Sequence, residues 1–178
     1  MNQNELETIF RKHNFLDYKF ISAQDIIVAQ WVRMRCTFGC NSYAKSGCCP
    51  PNVPSVEECR KFFESYKTAV VFHLTKKVEK PEDRIPWSKE ANKELSKVEK
   101  EVFLAGNYKA FLLFMDECRL CAKCVGNRAE CRNPNQARPS PESLAVDVFG
   151  TVRKQGYPIE VLSDYDKIMN RYAFLMVE

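Results

Sequence analysis

No apolar run in this chain approaches the roughly 20 residues that a membrane-spanning helix needs. The longest runs, around Thr68–Leu74 and Ala110–Met115, are of strand length. Histidine is scarce: His13 ends a helical stretch and His73 sits between Phe72 and Leu74, so neither has a histidine companion for a metal and each reads as structural. The sequence contains no G-x-S-x-G, no Walker loop and no G-x-G-x-x-G, which removes support for hydrolase, nucleotide and dinucleotide sites. Charge is nearly balanced, with 27 Lys+Arg against 23 Asp+Glu for a formal +4. That surplus is too slight to argue for nucleic acid. The opening residues, MNQNELETIFRK, lack the apolar stretch of a secretory signal, so a cytoplasmic address is expected. What is present is a chain of 178 residues, 45% hydrophobic, able to pack one domain over 1–178, and carrying nine cysteines.

A disulfide framework suits neither the odd count, nor a reducing compartment, nor a chain of this size. Burial as a small hydrophobe accounts for Cys59, on a helix candidate, but not for eight thiols in two tight groups. The second group, DECRLCAKCVGNRAECRNP, places Cys118, Cys121 and Cys124 at steps of three and Cys131 seven residues later. A C-x2-C turn aims two thiolates at one centre, and a third at the same step wraps the chain around something larger than one ion. Iron–sulfur ligation uses such a run. Four-cysteine zinc sites more often show two separated pairs, so the spacing favours iron–sulfur over zinc. Whether Cys131 serves its own loop or the other is open.

The first group, MRCTFGCNSYAKSGCCPPNVPS, holds Cys36, Cys40 and the adjacent pair Cys48–Cys49 ahead of two prolines. Position 43 is Tyr43, where the radical-SAM pattern needs cysteine, and that chemistry is disfavoured. Successive side chains diverge, so one of the pair is expected to join Cys36 and Cys40. Cys49 is the better choice, because the prolines should hold it extended. Three thiolates leave a fourth place for Cys48, Cys131, another side chain or a small molecule.

Apolar periodicity predicts helices over Asn4–His13, over Val56–Tyr66 with Ser55 as N-cap, and over Trp87–Val102 ending near Gly106. A further helix is expected from Ser140 to about Lys154. Strands are expected at Ile26–Arg35, Thr68–Leu74, Tyr108–Met115, Ile159–Leu162 and Tyr172–Val177. The order suggests an α/β (or α+β) layered sheet of about five strands with flanking helices and two cysteine-rich metal-binding loops, at 36–54 and 116–139. Each loop starts just past a strand. Parallel strands would bring both to one sheet edge.

Arg119, Lys123, Arg128, Arg132 and Arg138 crowd the second group. They read either as a solvated surface or as cations that offset a thiolate-bound cluster and dock an acidic redox partner. Ser140 reads as an N-cap, and Asp147, in an apolar stretch, as a buried polar anchor.

The combination CTFGCNSYAKSGCCPP with DECRLCAKC and CRNPNQARPSPESLAVDVF resembles the family labelled predicted metal-binding protein, domain of unknown function 2284. The likeness runs over nearly the whole chain. It implies a cytoplasmic, mostly anaerobe-borne protein that binds iron–sulfur clusters, with Cys36, Cys40, Cys49, Cys118, Cys121, Cys124 and Cys131 as matching ligand candidates. Ala145 stands where the family pattern leads one to expect glycine. The expected function is a protein holding one or two [4Fe-4S] clusters for electron transfer or an anaerobic redox reaction. The alternatives are an enzyme using an open cluster iron as a Lewis acid, and a zinc-stabilised binding module.

Overall fold

A computed structural model describes residues 2–162 and 167–178. The chain forms α1 (Gln3–Lys12), β1 (Tyr18–Ser22), α2 (Gln30–Gly39), α3 (Val56–Glu64) and β2 (Thr68–Lys76). It continues through α4 (Arg84–Leu104), β3 (Phe111–Leu113), α5 (Val148–Lys154) and β4 (Met169–Met176). The four strands make one sheet in the order β1-β2-β4-β3, every pair antiparallel, with Val71 opposite Phe174 and Leu112 opposite Leu175.

Strand alternation sorts the core into two faces. Val70, Phe72, Leu112 and Leu175 pack under α1 and α4, against Phe10, Leu95, Val98 and Val102. Val71, Leu113, Phe174 and Met176 face α3 and α5, against Cys59, Phe63, Val148 and Val152. Central strands buried on both faces read as continuous apolar runs, which is why β2 and β4 are plain in the sequence. Helix ends follow capping chemistry. Ser55 and Glu58 close a reciprocal box on α3, and Asn2 and Glu5 close one on α1.

Five expectations are corrected. Among the described residues the sheet has four strands, not about five, and it is antiparallel throughout, so parallel strand ends do not bring the loops together. The stretch Ile26–Arg35 is mainly helix. Val28 keeps only a single antiparallel bridge to Val146, and α2 takes over at Gln30. Ile27, Trp31, Met34 and Phe38 recur at helical spacing there, and the alternation of Val32 and Met34 masked it. The helix expected from Ser140 is interrupted: Glu142–Leu144 is a short 3-10 turn, and Ala145 is left-handed at φ 63° before α5 begins. Such a conformation costs an L-residue and favours glycine. Asp147 then caps α5, its Oδ1 accepting from Gly150 N at 2.9 Å, and Ser140 Oγ accepts from Ser143 N at 3.2 Å. Ile159–Leu162 is irregular rather than strand. Conversely, β1 went unassigned from the sequence. Both histidines are structural: His13 meets Glu101 at 3.0 Å, and His73 bonds Asp17 and Asn170 while stacking on Tyr172. Among the described residues, no helix is long and apolar enough to cross a membrane.

Candidate metal centre

The two cysteine loops meet main chain to main chain. A β-carbon on Gly47 would lie 3.0 Å from Asn127 O and 3.3 Å from Arg128 Cα. Asn52 ties the loops further, its Nδ2 donating to Ser46 O at 3.2 Å and to Gly126 O at 2.9 Å. Gly126, at φ +76°, takes a turn that L-residues avoid, beside Ala44 and Lys45. The second loop is held to the scaffold by buried polar groups on α4. Asn92 brackets the peptide group of Met115, accepting from its N at 3.0 Å and donating to its O at 2.7 Å. Glu99 Oε1 accepts from Leu112 N at 2.9 Å and from Arg138 Nε at 2.8 Å.

The adjacent cysteines part company. Cys49 lies near Cys36 and Cys40, whereas Cys48 lies against Cys118 with Cys131 close by. Cys36 sits in the last turn of α2, half-buried, its thiol donating to Glu142 O at 3.8 Å. Cys40 is the exposed C-cap of the same helix. Cys48 and Cys49 are buried in successive turns, with Cys49 N on Ser46 O, so Cys49 is not in an extended segment. Cys121 accepts from Asn133 Nδ2 at 3.0 Å. Exposed Cys124 accepts from Gly47 N at 3.4 Å and Gly126 N at 3.5 Å. Cys59 stands apart in the core on α3, its thiol on Pro54 O.

The electrostatics differ between the groups. Cys118 is held below the ordinary thiol range, first by a hydrogen bond from Cys48, then by the N–H groups of Leu120 and Arg138 and the charge of Arg128. Cys48, the donor in that pair, is pushed up, with burial adding to the effect. Cys49 is pushed up to about 12, chiefly by burial and against a hydrogen bond from Ser46; Glu117, Cys40 and Cys36 add to the rise. Cys36 is raised by burial first, then by Cys40 and Glu142. The thiolate is the metal-binding form, so Cys118 is poised for it while the raised Cys48, Cys49 and Cys36 must lose protons to a metal.

Nearby cations are mostly engaged: Arg119 pairs with Glu117, Arg128 donates to Pro134 O and Arg138 holds Glu99. Ser46, Asn52, Asn133 and Glu117 were not singled out in the sequence, because no spacing rule marks a donor that acts through a neighbouring loop. A cavity of about 400 Å³ adjoins Cys48, with Phe62 and Phe111 on its apolar side and Arg128 and Arg138 at its rim. A second, of about 620 Å³, is walled partly by Glu142, whose main chain meets Cys36. The Glu142 carboxyl is open to that cavity yet closed in by protein, and this enclosure, with Asp116 nearby, raises its pKa.

Among the described residues, no group of three or more His, Cys, Asp or Glu side chains is drawn close enough to hold a metal ion. The donors are soft and numerous, yet spread too far for a lone ion among the described residues. No curated protein and no solved structure matches the chain. Residues 19–177 match the family described as "Predicted metal-binding protein (DUF2284)", and this chain, with its two interlocked cysteine loops, belongs to that family.

Proposed function

We propose that this protein binds [4Fe-4S] clusters and uses them to carry electrons, the observation behind the reading being the division of Cys48 and Cys49 between two thiol groups. One group would draw on Cys36, Cys40 and Cys49, the other on Cys118, Cys121, Cys124 and Cys131 together with Cys48. A cluster contributes its own iron and sulfide and spans thiolates set wider than a single ion can reach, which fits donors too dispersed for zinc. Main-chain and amide N–H groups on Cys121 and Cys124 are the kind of donors that tune a cluster's potential. When bound, a cluster supplies one-electron chemistry; the chain supplies thiolates, hydrogen bonds and cations.

An acidic redox partner is the matching occupant for the adjoining surface. Between Asp25 and Glu57 the sequence has three cations and no acid. The face of α2 beside Cys36 leaves Trp31 50%, Met34 46% and Phe38 80% exposed, an apolar stripe within that basic segment. The first group offers three thiols beside the Glu142 wall of the larger cavity, which supports a second reading of an open iron acting as a Lewis acid. Anaerobic purification followed by iron and sulfide analysis tests the proposal. Iron and acid-labile sulfide in equal amounts, with a paramagnetic signal on reduction, are expected. A colourless protein with stoichiometric zinc and no sulfide refutes it. A protein ligand on each of the four irons of every cluster would remove the Lewis-acid reading alone.

A further inference from the structure

The larger cavity, about 620 Å³, lies within the size range of small-molecule sites and is divided into a charged end and an apolar wall. At the charged end, Asp116 stands between two guanidinium groups. Its Oδ2 is 3.4 Å from Arg84 Nε and its Oδ1 is 3.6 Å from Arg171 Nε. Neither contact is a hydrogen bond, and Asp116 Oδ2 is buried without a hydrogen-bond partner among the described residues. Glu142 faces the same space, close to both Asp116 and Arg171. The wall is made by Val148, Phe149, Ile159, Met169 and Tyr172.

We propose that this cavity binds a zwitterionic amino acid with a large apolar side chain, its carboxylate on Arg84 and Arg171 and its ammonium on the carboxyl groups of Asp116 and Glu142. The charge pattern selects that class. Arg84 and Arg171 are matched by Asp116 and Glu142, and Glu160, the third carboxylate of the lining, is paired with Lys167 at 3.7 Å, so a plain anion would press against Asp116 and Glu142, and a plain cation against the arginines. A plain anion would also leave the orphaned Asp116 oxygen without a donor. A zwitterion presents each charge to its opposite and adds none, while its side chain covers the apolar wall. None of these groups is a cysteine, so the proposal stands whatever the thiols hold. The Glu142 turn, which also meets Cys36 through its carbonyl, would place the ligand beside the first thiol group.

Titration calorimetry on the full-length protein as purified tests this with L-phenylalanine, 3-phenylpropanoate, which lacks the amine, and phenethylamine, which lacks the carboxylate. L-phenylalanine is expected to bind at least about ten-fold more tightly than either analogue, the minimum for losing one charge-assisted pair. Asp116→Asn should weaken it by about ten-fold or more on the same grounds. Asparagine suits the left-handed backbone at Asp116, where φ is 61°. Arg84→Gln, at a partly exposed position, should weaken it similarly and decides the matter if the Asp116 variant does not fold. Absence of heat with L-phenylalanine, equal binding of either analogue, or undiminished binding by the folded variants overturns the proposal. Iron and sulfide measured on the same sample report separately on the clusters, so amino-acid binding and cluster binding can fail independently.

Discussion

Replacing Gly47 by alanine tests whether the two cysteine loops are in contact. The new β-carbon would stand 3.0 Å from Asn127 O, 3.2 Å from Asn127 C and 3.3 Å from Arg128 Cα. All three are main-chain atoms, and none can swing aside as a side chain would. Their segment is also held by Asn127 Oδ1 on Ala129 N and by Arg128 Nη2 on Pro134 O. The loops must therefore separate by a few tenths of an ångström, an overpacking that costs about 1–3 kcal/mol. At about 2–4 °C per kcal/mol for a chain of this size, the melting temperature should fall by about 2–12 °C. The shift also strains the bond from Gly47 N to Cys124 Sγ, so iron and sulfide content should fall with stability. Gly39→Ala is the control: a β-carbon there meets nothing within 4 Å, and Gly39 is the last residue of α2. That variant should melt between the parent's temperature and about 4 °C above it, since an open helical glycine-to-alanine change stabilises by up to about 1 kcal/mol. Thermal unfolding by circular dichroism reads both. A Gly47→Ala protein that melts with the parent and keeps its metal refutes the loop contact.

Asn92→Ala should cost about 2–5 kcal/mol in urea unfolding, because it strands both the N–H and the carbonyl of buried Met115; a loss below about 1 kcal/mol would mean that water replaces the amide. Metal uptake should strengthen as pH rises and release protons, since Cys49 is pushed up to about 12 and Cys36 is raised, both chiefly by burial. Proton release in weakly buffered titrations checks this, and pH-independent uptake refutes it. Tyr66, Tyr157 and Tyr172 have raised pKa values, burial being the first cause in each. A group raised on folding stabilises below its unfolded pKa, about 10 for tyrosine, and loses that contribution as pH climbs through the folded value. Three of the seven tyrosines should thus resist ionisation, followed by phenolate absorbance, until alkaline unfolding releases them together.

Local chemistry announced the chain's regular elements and its thiols. Helices α1, α3 and α4, strands β2 and β4, the Ser55 cap, the core role of Cys59 and the two cysteine groups all follow from periodicity, capping or spacing within a dozen or so residues. The short β1 and the exposed α2 did not, because one carries little apolar signal and the other turns its apolar stripe outward. The glycine expected where Ala145 stands marks a left-handed turn, a backbone demand that outlasts the residue filling it. Only the tertiary structure brought Cys48 to Cys118, set Gly47 on Asn127 and left Asp116 between two arginines beside a cavity. Spacing along a chain limits which thiols can share a centre. Contacts between residues some 80 positions apart depend instead on how β3, α4 and the loops pack, and no local pattern encodes that.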